Sequence, residues 1–144
     1  MKNMKMLRIT TTSFLLLSLL TMGACKKTVY NTVNQVFSAT YSIKSTDWST
    51  TDNSHSYVVN LTVPEVDDKV VADGGVVVYL SFDNGTTFES LPEVFDGVAY
   101  GTYHQKGAVS IDLSSAVDPT NNTVSAPTTT LLAKVVILDG SPLD

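Results

Sequence analysis

A single cysteine, Cys25, occurs in the whole chain, so no internal disulfide can form. Arginine is absent after Arg8. From Cys25 onward six lysines (Lys26, Lys27, Lys44, Lys69, Lys106, Lys134) stand against fourteen carboxylates, a formal side-chain charge of −8. Binding a phosphate backbone needs clustered positive charge, so the balance excludes nucleic acid as a partner. Histidine is nearly absent too. His55 and His104 sit at unrelated positions with no spare thiolate, which leaves no zinc spacing. No Gly-x-Ser-x-Gly elbow occurs, no cofactor is expected, and no apolar run approaches the roughly 20 residues of a membrane-spanning helix.

What the chain does contain at its start is an address. Lys2, Lys5 and Arg8 precede the short apolar core Phe14–Leu20, and Thr21-Met22-Gly23-Ala24 runs into Cys25. This three-part form predicts a secretory signal over residues 1–24. A cysteine directly after Gly-Ala resembles the lipobox of bacterial lipoproteins, with Met22 where Leu is commonest. That resemblance implies a lipidated Cys25 as the first mature residue. A plain secreted protein with a stray cysteine is the alternative. Two lysines beside the lipid add only about 1 kcal/mol each at an anionic surface, so the acyl chains would hold the membrane. By resemblance to lipoprotein sorting rules, Lys26 implies the outer membrane. The absence of an acidic run there implies its periplasmic leaflet rather than the cell surface.

Residues 25–35 read as the lipidated cysteine and a polar tether, although Val29, Tyr30 and Val33 fit the start of a strand. Residues 36–144 then suffice for one domain with its own core. Phe37, Ala39, Tyr41 and Ile43 alternate with polar residues, as do Tyr57, Val59, Leu61 and Val63, the period of half-buried strands. Pro64 to Gly75, with leading proline, early acids and closing glycines, predicts one short helix or 3₁₀ turn. Val76–Phe82 is apolar on both faces except Ser81, which predicts a central strand covered on both sides. Asp83-Asn84-Gly85 predicts a tight hairpin, with Thr86–Leu91 returning. Further strands are expected at Val98–Tyr103, Val109–Leu113 and Leu131–Leu138. About seven strands with regular turns predict an all-β, antiparallel, immunoglobulin-like β-sandwich with one short helix; a small closed barrel is the competing architecture.

The order of Ser45-Thr46-Asp47-Trp48, Tyr57–Pro64, Gly75–Phe82 with Asp83-Asn84-Gly85, Leu91-Pro92, Pro127–Thr130 and Lys134–Ile137 resembles a group of uncharacterised lipoproteins from Bacteroidota. Some of that group carry collagen-like Gly-Pro repeats after the lipidated cysteine. This chain has only the short tether there, so the resemblance implies no collagen-type trimer. It bears on address and taxon and implies no activity.

Candidate chemistry is sparse. His55 and His104 read as loop-like, solvated positions rather than bases beside a nucleophile. Asp83-Asn84-Gly85 resembles a fragment of a calcium loop without the rest, and the hairpin explains the same residues. Asp67, Asp68 and Asp73 are no better supported, and no metal site is expected. Of the three glutamates, Glu65, Glu89 and Glu93, none has an apolar sequence context that would raise its pKa. Trp48, in a polar loop beside Asp47 and Ser49, is the candidate binding residue. It would stack on a sugar ring or anchor a partner, or else fold back to cap the sandwich. The expectation is a lipid-anchored, non-enzymatic envelope protein, a binding module for glycan or protein. A structural or accessory subunit of an envelope assembly comes second, and a hydrolase is a distant third.

Overall fold

Alternating apolar residues recur along the chain from Val36, and each alternation that faces a second sheet becomes a strand with a buried side. The structure is a computed structural model that describes residues 36–140. The expected signal, Cys25 and the tether lie outside the described residues. In chain order the elements are β1 (Val36–Ile43), a 3₁₀ turn (Ser45–Asp47), β2 (Ser56–Thr62), helix α1 (Asp68–Asp73), β3 (Gly75–Ser81), β4 (Glu89–Ser90), β5 (Glu93–Phe95), β6 (Val98–Gln105), β7 (Ala108–Ser115) and β8 (Leu131–Leu138). They form two four-stranded antiparallel sheets, ordered β1-β8-β3-β4 and β2-β7-β6-β5. The described residues form an all-β sandwich with one short α-helix. Among the described residues no helix is long and apolar enough to cross a membrane.

The core follows the period of two. Val59 and Leu61 on β2, Val78 and Leu80 on β3, Val109, Ile111 and Leu113 on β7, and Leu131, Ala133, Val135 and Ile137 on β8 are buried in one cluster. Each full burial of such a Val, Leu or Ile contributes about 1.5–3 kcal/mol. Helix α1 falls inside the expected Pro64–Gly75 stretch but starts later, at Asp68, leaving Pro64 in the preceding turn. The Asp67 side chain accepts a hydrogen bond from the Val70 N–H at 2.9 Å, and Val70 packs into the core.

Four expectations change. On β1 only Ile43 is buried, and Phe37 stays 45% exposed, because β1 is the outermost strand and the facing sheet does not reach its first half. On β3 the outer residues Val77 and Tyr79 are half-buried rather than covered, with the Lys134 ammonium 5.9 Å from the Tyr79 ring centroid and 3.8 Å from that of Phe88. The return strand after Asn84-Gly85 shrinks to Glu89–Ser90. Both turn residues take positive φ, 58° and 90°, as the sequence demands. However, the Asp83 carboxylate accepts from the Thr87 N–H (2.9 Å), the Thr87 hydroxyl (2.7 Å) and the Ser81 hydroxyl (2.8 Å). The side chain therefore takes groups that a ladder would otherwise use. Finally, His104 lies on β6 opposite Val109, not in a loop.

Candidate functional site: an open sheet edge and its groove

A two-sheet sandwich has four edges, and an exposed edge strand offers unpaired N–H and C=O groups to any passing chain. Three of the edges here are blunted. β4 is two residues long and includes Glu89, and β5 is three residues long and includes Glu93. Beyond β2, Ser49 closes a bridge to Val58 through two backbone hydrogen bonds of 2.9 and 2.8 Å. β1 is the exception. It is eight residues long, Val-Phe-Ser-Ala-Thr-Tyr-Ser-Ile, with no proline, no glycine and no charge. Among the described residues it pairs with β8 alone.

Beside this edge lies a groove of about 140 Å³. Phe37, Ala39 and Tyr41 form its β1 wall, Val135 and Ile137 its floor on β8, and Val63 and Glu65 the opposite side. Their placement follows from the strands. Phe37, Ala39 and Tyr41 share the inward face by alternation, and register sets them opposite Ile137, Val135 and Ala133. Val63 and Glu65 arrive there because the chain leaves β2 through a turn in which the Val63 N–H bonds Gly107 O and the Gly107 N–H bonds Val66 O. Burial, and then the negative charge of Glu65, push the Tyr41 hydroxyl pKa upward. The groove is thus apolar and aromatic with one acidic group, the exposed Glu65, at its side.

Trp48 belongs elsewhere. It ends the 3₁₀ turn, is only 7% exposed, and joins the core cluster. Its indole Nε1 is buried without a hydrogen-bond partner. An exposed stacking platform at Trp48 is therefore corrected to a core side chain at the end of the sandwich. The physical reason is the bridge Ser49–Val58, which pulls the following residue onto β2 and turns the indole inward. His55 contacts the Asn122 carbonyl through Nδ1 at 3.2 Å. Asp52, Asp83 and Asp118 each serve their own loop. Their pKa values are lowered chiefly by hydrogen bonds from neighbouring side chains and amides, to about 2 for Asp52 and Asp83. Among the described residues no three His, Cys, Asp or Glu side chains cluster as a metal site.

One glutamate departs from the sequence expectation. Glu93 stands opposite Tyr100 in the β5–β6 ladder and meets Glu89, so burial first and then the Glu89 carboxyl raise its pKa to about 7. Phe82 stacks on Phe95 at 4.3 Å and meets Tyr100 edge-on at 5.3 Å, closing the same corner. No local sequence signal marks this, because the apolar context comes from strands that meet only in the fold. No family model, curated protein or solved structure matches the chain.

Proposed function

We propose that this is a lipid-anchored, non-enzymatic envelope protein whose sandwich binds another protein along the β1 edge. The observation that carries this reading is the contrast among the edges: three are shortened, charged or bridged, and the fourth is long, uncharged and open. Strand addition to such an edge is a common mode of polypeptide recognition. The lipobox at Cys25 supports the anchor. The ten residues 26–35 between Cys25 and β1 reach at most about 33–36 Å when extended, which keeps the edge near the membrane surface. With Trp48 in the core, a protein ligand is favoured over a glycan.

The hydrolase reading draws on Glu89 and Glu93. Burial first, and then the neighbouring Glu89 carboxyl, raise the Glu93 pKa to about 7. With no metal cluster among the described residues, the two carboxyls give this reading less support than the open edge gives binding.

The test has two arms. Cys25→Ser should move the protein from the membrane pellet to the soluble periplasmic fraction, and retention in a high-salt pellet would remove the anchor. A photo-crosslinker at exposed Thr40 on β1 should give a discrete adduct in cells that is lost with Ser38→Lys. The same crosslinker at exposed Tyr103 on β6 should give none. Equal adducts from both positions would refute the edge as the binding surface.

A further inference from the structure

We infer that the groove beside β1 receives a lysine or arginine side chain from an extended polypeptide strand added to that edge. This inference rests on the reading of β1 as the binding edge and names what its partner must carry. A strand paired with β1 turns every second side chain onto the face that Phe37, Ala39 and Tyr41 occupy, and so toward the groove. The groove, about 140 Å³ and bounded by residues of β1, β8 and the turn after β2, has room for a long side chain.

The walls select its chemistry. Phe37, Ala39, Val63, Val135 and Ile137 suit an alkyl stem, whereas Glu65 and the ring of Tyr41 suit a cation at its end. Among the described residues no cation lines the groove. Lys134 is on the outer face of the same sheet, 3.8 Å from the Phe88 ring centroid. The excess of acidic groups over lysines favours the approach of a basic segment. A second copy is a poorer occupant, because β1 contains no cation to meet Glu65.

The probe is a set of short alternating Thr/Val peptides with one lysine walked along the strand, titrated against the full-length Cys25→Ser protein by fluorescence anisotropy. Binding should peak at one lysine position. It should weaken about two- to fivefold when that lysine is replaced by norleucine, and equally in Glu65→Gln, the size expected for one solvent-exposed ion pair. Backbone N-methylation of the peptide should abolish binding. Glu65 is exposed, so Glu65→Gln should fold normally, with circular dichroism as the check. Equal affinity for lysine and norleucine peptides would overturn the charged occupant and leave strand addition standing. Binding that ignores N-methylation, or no binding to any peptide, would overturn both. A dimer of the free protein that Ser38→Lys dissociates would make a second copy the occupant. Binding that appears only after Lys26 and Lys27 are both changed to Ala would assign the groove to this chain's own tether. Either of these last results refutes the proposal.

Discussion

Replacing Trp48 by alanine separates its two sequence readings most sharply. Trp48 is 7% exposed within the core cluster, and among the described residues its N–H has no hydrogen-bond partner. Truncating a buried Trp costs about 3–5 kcal/mol. The unpaired N–H already costs the native state about 1–3 kcal/mol, and its removal offsets part of that loss. The expected cost of Trp48→Ala is therefore at the lower end, about 3 kcal/mol. A domain of about a hundred residues has an unfolding entropy near 0.2 kcal/mol/K, so Tm should fall by about 15 °C. Trp48→Phe keeps a ring and deletes the N–H, and should fall within about 1 kcal/mol of the parent because the two effects oppose each other. Thermal circular dichroism measures both variants. As the only tryptophan, Trp48 also reports directly: its emission should be blue-shifted and resistant to acrylamide. Red-shifted, readily quenched emission together with a loss below about 1 kcal/mol would refute its placement in the core.

Two further outcomes follow from the carboxylates. Glu93 has its folded pKa raised from 4.5 to about 7 by burial and by Glu89, so folding favours the protonated form. Its contribution to stability is complete below about pH 4.5 and declines as pH rises to about 7; Glu93→Gln should flatten the Tm profile across that window, and an unchanged slope would exclude Glu93 as its source. Asp83 has the opposite sign, its pKa lowered from 3.8 to about 2 by Thr87 and Ser81. Hydrogen-exchange protection of the Thr87 amide should therefore hold above pH 3.8 and fall as pH approaches 2. Asp83→Ala should lose that protection at every pH, and persistent protection would show that the loop does not depend on this carboxylate.

Most strands were legible because burial against one facing sheet imposes a period of two. Leu131–Leu138 appears with the bounds its pattern suggests, and Val109–Leu113 extends by one residue before and two after. Helix α1 was legible from the early acids and the closing glycines, although its start at Asp68 falls later than the leading Pro64 suggested. Two short elements were not. The 3₁₀ turn Ser45–Asp47 lies in a polar run with no period, and Glu93–Phe95 is too short for alternation to show. Of the groove, the β1 wall, Val63 and the β8 floor were visible as strand patterns, but the position of Glu65 beside them was not. The alternation of Phe37, Ala39, Tyr41 and Ile43 says that one face is apolar but not whether a partner sheet covers it.

The sequence by itself determined what depends on neighbouring residues: the strand periods, the positive φ at Asn84 and Gly85, the helix cap, and an acidic chain with one cysteine. Tertiary structure alone decided everything that depends on which strands lie side by side. Sheet order left β1 as the long uncharged edge with no bridge beyond it among the described residues, register and the turn after β2 brought Glu65 to Phe37 and Tyr41, and the Ser49–Val58 bridge turned Trp48 inward. The β5–β6 ladder set Glu93 against Tyr100 and gave it a pKa that its sequence context does not suggest. A side chain's environment is built by residues distant in sequence, and local pattern carries no record of them.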